Sequence, residues 1–235
     1  MNIIVKIKSI FLYSRTFLFF VFIGLPVTIY MLIIPNSAYR LSTFLCRQMF
    51  KNLGVKYTID GKLPKNGPYI IMHNHSSFLD MFFLPIVLRG KYTGVIAAKN
   101  FKIPIINIAL NKSKAIPIYR SNHKQAIEGI KIAEQRIREG FNIAIFPEGT
   151  RTITGRLSKL KKGGFHMAKN TNTKILPIIV KGLYEIKPKN RWTLNTNVSA
   201  QMIIEKPLDT INYSIVELIE KMNTLFEKHG LDVSK

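Results

Sequence analysis

The sequence predicts an α/β fold in which helices flank a mostly parallel sheet, preceded by a membrane-embedded two-helix motif. Two observations predict it. Residues 16–34 form an uncharged apolar run, and from about residue 55 short apolar runs alternate with helical stretches. Strand–helix alternation favours a largely parallel sheet. The predicted boundaries are therefore residues 1–54 for a membrane-anchoring helix pair and residues 55–235 for the α/β domain.

Composition and charge narrow the classes of protein that fit. The 235 residues include 35 Lys and Arg against 13 Asp and Glu, a net charge of +22, and 47% of residues are hydrophobic. Disordered chains combine high charge with low hydrophobicity, so this chain is expected to fold. Its single cysteine, Cys46, excludes an intramolecular disulfide and a multi-cysteine zinc site. So basic a protein is expected to meet an anionic partner, either nucleic acid or a membrane surface.

The apolar run of residues 16–34 favours the membrane. At 1.5 Å per residue this helix is just long enough to cross a hydrocarbon core of about 30 Å. Pro26 lies inside the run and predicts a kink. Residues 37–53 follow as a basic amphipathic helix, with Asn36 or Ser37 as its cap and Gly54 at its end.

Three arrangements fit these two helices. In the first, both helices are embedded in one leaflet, an arrangement that a basic amphipathic helix favours. In the second, a single spanning anchor is followed by a core helix. In the third, both helices are buried in a soluble fold. Either membrane arrangement disfavours a DNA-binding protein. The basic stretch from Arg151 to Arg191 also has few aromatic residues and no nucleic-acid-reading motif.

The α/β region divides into elements by periodicity and by Gly and Pro punctuation. The predicted strands are residues 55–59, 69–73, 95–98, 116–119, 143–146 and 175–180, with one or two more within 192–205. The predicted helices are residues 78–88, 103–110, 123–139, 164–169 and 213–229.

The first candidate site follows the strand at residues 69–73. His75 lies at the strand-to-helix junction, where open α/β sheets bind ligands, and Asp80 comes five residues later. A carboxylate that accepts one ring N–H leaves the other nitrogen free to act as a general base. Asp80 also fits a capping box with Ser77, in which it would only satisfy helix-end amides. A metal site at His73 and His75 is disfavoured because no third ligand is nearby.

The second candidate site follows the strand at residues 143–146. Pro147 and Gly149 predict a turn that presents the Glu148 carboxylate and the Arg151 guanidinium. Arginine is suited to holding a phosphate through two hydrogen bonds. An ordinary strand-ending turn with a structural Glu–Arg pair fits the same residues.

Together these motifs resemble the glycerolipid acyltransferases, and most closely the bacterial lysophosphatidic acid acyltransferases. The resemblance rests on Asn74-His75-x4-Asp80 and Phe146-Pro147-Glu148-Gly149-Thr150-Arg151, and it extends over roughly residues 60–180. Further blocks of the family are matched by Lys99-Asn100-x2-Ile103-Pro104, by residues 116–120, by residues 160–166 and by Leu176-Pro177-Ile178. Two positions depart from the pattern: Lys114 stands where the family usually has glycine, and Tyr119 where an acidic residue is common.

The resemblance implies a function and a set of site residues. It implies a membrane-bound O-acyltransferase that moves an acyl group from a thioester to the sn-2 hydroxyl of lysophosphatidic acid, giving phosphatidic acid for phospholipid synthesis. It implies that His75 deprotonates the hydroxyl and that Asp80 orients His75. The acceptor site would be shaped by Lys99, Arg120, Glu148, Gly149, Thr150 and Arg151.

The resemblance also implies partners and a location. The donor is acyl-CoA or acyl carrier protein, acting as co-substrate, and neither a metal nor another cofactor is expected. The other expected partners are lysophosphatidic acid and an anionic phospholipid membrane, with no nucleic acid. The expected location is the inner (cytoplasmic) membrane, with the active site on the cytosolic side. Acceptors left open are another lyso-phospholipid and glycerol-3-phosphate.

Overall fold

A seven-stranded sheet forms the centre of the molecule. The computed structural model describes residues 2–34, 38–119 and 123–233. Numbered along the chain, the strands are β1 Tyr57–Asp60, β2 Ile70–His73, β3 Tyr92–Ala97, β4 Ile116–Ile118, β5 Asn142–Ile145, β6 Ile175–Lys181 and β7 Ala200–Ile204. Their order is β1–β7–β6–β2–β5–β3–β4, and every pair is parallel except β6 with β7. The predicted α/β fold with a mostly parallel sheet is confirmed.

Helices cover both faces of this sheet. They are α1 Ile3–Phe19, α2 Leu25–Ile33, α3 Ala38–Asn52, α4 Asp80–Phe83, α5 Pro104–Lys112, α6 His123–Arg138, α7 Gly163–Asn170, α8 Leu183–Ile186 and α9 Ile215–Lys228. One apolar cluster joins α1, α3 and α4 to the sheet, and a second joins α6, α7 and α9 to the opposite face. The result is a three-layer sandwich, as expected when connections between parallel strands cross over the sheet.

Alternation along the central strands places successive side chains in different layers. Ile70 and Met72 of β2 belong to the cluster under α6, α7 and α9, whereas Ile71 belongs to the cluster under α1 and α3. All four residues of β2 are buried. A central parallel strand has no solvent-facing side, which is why the sequence of β2 is uniformly apolar up to His73.

One predicted helix differs from the structure. The helix expected at residues 78–88 is divided into α4 and a 3₁₀ turn at Leu84–Ile86. Pro85 accounts for the division, because it has no N–H to donate to the preceding turn. The stretch 192–205, for which one or two strands were expected, contributes one, β7, and it pairs antiparallel with β6.

The N-terminal helices present an apolar surface to solvent. A π-helical turn, Phe20–Gly24, joins α1 to α2 without breaking the helix and ends two residues before Pro26. Within the described residues, Ile3–Met31 is the one helical stretch long and apolar enough to cross a membrane. Phe22 and Ile33 are each 72% exposed. The arrangement in which both helices are buried in a soluble fold is therefore wrong.

The helix α3 packs on the α/β core rather than standing apart from it. Cys46, Met49, Phe50 and Leu53 are buried in the same cluster as residues of the strands β2 and β6. Phe44 of the same helix is exposed. The boundary at residue 54 stays a prediction, and a continuous hydrophobic cluster crosses it.

Lys114 adopts an unusual backbone conformation between α5 and β4. Its φ is +54°, in the left-handed region that favours glycine. This conformation gives a physical reason for the glycine that is usual at this position in the family that the sequence resembles. The Lys114 ammonium lies 3.5 Å from a carboxylate oxygen of Glu139, so the side chain is held by α6.

Gly182, directly after β6, is predicted not to tolerate a larger residue. Its φ is +81°, and a Cβ atom would collide with the Ser199 carbonyl oxygen. Gly182→Ala is expected to lower the free energy of unfolding by about 2 kcal/mol or more, from strain and the collision together. Denaturant unfolding in detergent micelles measures the loss.

Gly230→Ala is the matched control. Gly230 has a similar φ of +74° but open space around it, so its replacement should cost only about 1 kcal/mol. Equal losses for the two variants would show that the Ser199 carbonyl does not constrain the turn.

Candidate active site

The two candidate motifs meet at the carboxyl edge of the sheet. β2 and β5 are neighbouring parallel strands, with Met72 opposite Ile145, so the loops that follow them leave the sheet side by side. One loop carries His75 and the other carries Glu148 and Arg151. Ligand sites of open α/β sheets form at this edge. The parallel pairing therefore brings together residues about seventy positions apart in sequence.

The side chain of His75 is held by Asp80. The imidazole Nδ1 lies 2.9 Å from the Asp80 Oδ2 atom, and the same oxygen accepts the amides of Ser76 and Ser77 at 2.7 and 2.8 Å. Asp80 is fully buried, whereas the His75 side chain is 17% exposed. The carboxylate thus stabilises the loop amides and orients the imidazole at once. The expected contact between Asp80 and His75 forms, and the general-base role stays a prediction. A capping box does not form, because the N-cap of α4 is Leu79 and no side chain caps this helix.

The main chain of His75 is held by the second motif. The His75 amide donates to Glu148 Oε1 at 2.7 Å, and the His75 carbonyl accepts from the Thr152 amide at 2.9 Å. The other Glu148 oxygen, Oε2, accepts from the Ser158 amide at 2.9 Å. Glu148 is 1% exposed. Its carboxylate therefore points into the protein, where it joins the loop after β2 to two segments of the loop after β5.

Burial raises the pKa of Glu148 to about 7. The amides of Ser158 and His75 act in the opposite direction, because they stabilise the charged form, and the nearby charge of Asp80 raises the pKa further. The cost of removing this carboxylate from water thus exceeds what two backbone hydrogen bonds return. A buried acid of this kind is retained for the geometry that it imposes.

The ring of Phe146 packs against the imidazole of His75. This ring stacks on His75 at 3.6 Å between centroids with an interplanar angle of 19°, and the His73 ring is tilted against it at 4.3 Å between centroids. Burial lowers the pKa of His73 to about 4, so this imidazole is neutral near pH 7. Among the described residues no cluster of three metal-binding side chains forms around either histidine.

Asn74 is a site residue that the sequence reasoning did not assign. Its Nδ2 donates to the Val180 carbonyl and its Oδ1 accepts the Val180 amide, both at 2.8 Å. The side chain thereby replaces a backbone unit and ties the end of β2 to β6. Its position directly before His75 was the available signal, but no local pattern reveals a partner 106 positions away.

The remaining predicted residues differ in their distance from this network. Gly149, with φ +75°, closes a turn by donating to the Phe146 carbonyl at 3.0 Å. Arg151 is half-buried and precedes Thr152, whereas Thr150 is exposed. Lys99 is exposed in the 3₁₀ turn after β3, and Arg120 lies outside the described residues. Substrate contacts for these residues stay predictions.

Glu148 makes the stability of the fold depend on pH. Its pKa lies above the ordinary value of 4.5, so between pH 4.5 and about 7 the folded chain binds more protons than the unfolded chain. Stability should therefore fall as the pH rises through this range, by on the order of 3 kcal/mol. In Glu148→Gln, which does not titrate, this contribution should vanish, and thermal unfolding at pH 5 and pH 8 measures it. Glu128→Gln, at an exposed position on α6, should keep the wild-type pH dependence; an unchanged dependence in Glu148→Gln would contradict the assignment.

Comparison with known proteins is consistent with this geometry. The family model described as Acyltransferase matches residues 54–181, which include every residue of the network described above. The chain is 30% identical over 190 residues to the 1-acyl-sn-glycerol-3-phosphate acyltransferase of Borreliella burgdorferi, covering 76% of this chain and 73% of that protein.

Plant relatives match a smaller part of their own length. The chain is 31% identical over 156 residues to the chloroplastic 1-acyl-sn-glycerol-3-phosphate acyltransferase LPAT1 of Arabidopsis thaliana, covering 65% of this chain. It spans 44% of that protein and 41% of the related protein BAT2 of Brassica napus, less than half of each.

A solved structure shares the fold along nearly the whole chain. The 1-acyl-sn-glycerophosphate (LPA) acyltransferase PlsC from Thermotoga maritima superposes with a TM-score of 0.79 and 20% sequence identity, covering 97% of this chain and 96% of that chain. At this identity the likeness concerns the fold. The family model covers more than half of the chain, and with the Borreliella relative it shows that this chain belongs to the acyltransferase family.

Proposed function

We propose that this protein is a 1-acylglycerol-3-phosphate O-acyltransferase, which transfers an acyl group from a thioester to the sn-2 hydroxyl of lysophosphatidic acid. The observation that carries the proposal is the contact between His75 Nδ1 and the buried Asp80 carboxylate. In the neutral imidazole, a proton held on Nδ1 leaves Nε2 as an unprotonated acceptor. The relatives named for this activity support the choice of substrate.

The reaction needs one base and no acyl-enzyme. Nε2 of His75 takes the proton of the acceptor hydroxyl as its oxygen attacks the thioester carbonyl carbon. The tetrahedral intermediate then expels the sulfur, the C–S bond breaks, and the thiolate takes the proton back from the imidazolium. Asp80 orients the ring and stabilises the imidazolium, because it bears a negative charge beside Nδ1. The products are phosphatidic acid and a free thiol.

The acceptor is held through its phosphate. Arg151 and Lys99 supply positive charge on the loops that leave this edge of the sheet, while Gly149 and Thr150 shape the turn between Glu148 and Arg151. From the sequence alone, Arg120 is expected to add a third charge. The thioester is carried by coenzyme A or by acyl carrier protein. Both are anionic, and a net charge of +22 attracts them as well as the acceptor.

The membrane is reached through α1 and α2. Apolar side chains project from these helices into solvent, among them Phe11, Phe22, Leu25, Ile29 and Ile33. Residues 1–59 contain no acidic side chain, so basic residues flank the apolar surface where anionic headgroups would lie. We place the enzyme on the inner (cytoplasmic) membrane with its active site on the cytosolic side, where acyl thioesters are available.

One activity panel tests the proposed function. Purified protein in mixed micelles is given acyl-CoA or acyl carrier protein thioester, each with lysophosphatidic acid, glycerol-3-phosphate, or a lyso-phospholipid with a larger headgroup. Lysophosphatidic acid should be the best acceptor. A higher kcat/KM with either other class of acceptor would overturn the assignment.

His75→Ala should abolish transfer while leaving the fold intact. Loss of a general base lowers kcat by about 10²-fold to 10⁴-fold. Asp80→Asn should lower kcat as well, because the neutral amide has one acceptor oxygen instead of two and no charge to stabilise the imidazolium. His166→Ala is the matched control, since His166 is exposed on α7. Turnover retained in His75→Ala with lysophosphatidic acid would rule out the mechanism.

Membrane binding should depend on the exposed face of α1 and α2. Placing a charge there removes apolar area that would enter the lipid, so the double variant Phe22→Asp, Ile29→Asp should bind anionic vesicles about tenfold more weakly or worse. Co-sedimentation with vesicles measures the change. Val216→Asp carries the same substitution at an exposed position of α9 and should bind like the wild type. Equal binding by all three proteins would argue against insertion of this face.

A further inference from the structure

A basic segment beyond the matched family region lies against the catalytic loop. After α8 the chain returns to the site, and Ser77 Oγ donates to the Lys187 carbonyl at 2.6 Å. Ser77 is fully buried, and its amide is held by Asp80. Lys187 is therefore one hydrogen bond from the loop that carries His75.

Arg151 directly precedes a residue whose main chain bonds to the same loop. The residue after it, Thr152, donates its amide to the His75 carbonyl. Arg191 completes the group, since its guanidinium donates to the carbonyls of Glu185 and Ile186, at the end of α8 beside Lys187. Burial lowers the pKa of Lys187, and the charges of Arg151 and Arg191 lower it further. Lys187 is thus close enough to Arg151 and to Arg191 for its charge to be repelled by both.

Among the residues that the structure describes, no carboxylate forms an ion pair with this group. In the described part of the chain, the ion pairs involve none of Arg151, Lys187 and Arg191, and Lys187 Nζ donates only to the Pro188 carbonyl at 3.1 Å. Like charges held together without a counter-charge destabilise the empty protein. A bound anion that carries more than one charge would relieve the repulsion.

The N-terminal helix touches the same segment. Tyr13 Oη donates to the Trp192 carbonyl at 2.6 Å, and the Leu194 amide donates to Ser9 Oγ at 3.0 Å. The cationic group therefore lies between the catalytic loop and the helix that we place in the membrane. A lipid headgroup meets it on leaving the bilayer, whereas the phosphates of a thioester donor lie a pantetheine arm away from the reacting carbonyl.

We propose that Lys187, together with Arg151 and Arg191, binds the phosphate of the acceptor and makes the enzyme select a phosphomonoester. The inference rests on the proposed function. In lysophosphatidic acid the phosphate is on the carbon next to the one that bears the reacting hydroxyl, so it must lie beside His75. A phosphomonoester carries close to two negative charges near neutral pH, whereas a phosphodiester headgroup carries one. Three cations should therefore bind the phosphomonoester more strongly than the phosphodiester.

Lys187→Gln tests this assignment. We expect the KM for lysophosphatidic acid to rise about tenfold or more, because one charge-assisted hydrogen bond is lost. The KM for the thioester should not change. The preference for lysophosphatidic acid over a phosphodiester lyso-phospholipid should fall by a similar factor. Lys187→Arg should restore both. Lys189→Gln, at an exposed position two residues later, should behave as the wild type.

A binding measurement without donor separates this inference from the proposed function. Titration of lysophosphatidic acid in micelles should give a Kd about tenfold higher for Lys187→Gln than for Lys189→Gln. If the wild type binds this lipid with the expected difference but does not acylate it, the proposed function fails and the phosphate site stands. If Lys187→Gln matches Lys189→Gln in Kd, or if only its KM for the thioester rises, the assignment of Lys187 is overturned.

Discussion

The hydrogen bond from the His75 amide to the buried Glu148 carboxylate is the contact on which the rest of the site depends. It joins the loop after β2 to the loop after β5, and the second oxygen of Glu148 extends the connection to Ser158. The imidazole is then oriented by Asp80 from within the same loop. One carboxylate thus positions the main chain of the base and another positions its side chain.

Both carboxylates are removed from water, and the cost explains why they bond mainly to backbone amides. A buried charge is tolerated only where hydrogen bonds replace its solvent. Asp80 accepts two amides and the imidazole, whereas Glu148 accepts two amides and keeps a pKa of about 7. Backbone amides are rigid donors, so the acids hold the loop in one conformation. A general base benefits from that rigidity, because its distance to the reacting hydroxyl sets its efficiency.

The structure shows where the basic residues behind the net charge of +22 are concentrated. Part of it flanks the exposed apolar face of α1 and α2, and part of it collects at Arg151, Lys187 and Arg191, next to the catalytic loop. The hydrogen bonds of Tyr13 and Ser9 to residues 192 and 194 join these two regions. In the function that we propose, these hydrogen bonds place the acceptor's headgroup beside His75 while its acyl chain is still near the lipid.

Local patterns in the sequence were sufficient for the fold class, for most strands and helices, and for the pairing of His75 with Asp80. A parallel sheet buried on both faces leaves uniform apolar runs, and a five-residue spacing brings His75 and Asp80 into reach without help from the rest of the chain. The division of the helix at residues 78–88 was missed, although its local cause, the missing N–H of Pro85, was visible in the sequence.

Only the tertiary structure decided what Glu148, Asn74 and Lys187 do. The sequence pattern predicts a projecting Glu148 carboxylate in the turn, yet it is buried against one amide from the loop after β2 and one from farther along its own loop. Asn74 bonds to Val180 and Lys187 to Ser77, partners more than a hundred positions away. The sequence by itself determined which residue types stand at the ends of the strands. Which of them face each other depends on strand order in the sheet, and strand order is set by long-range packing that no local spacing encodes.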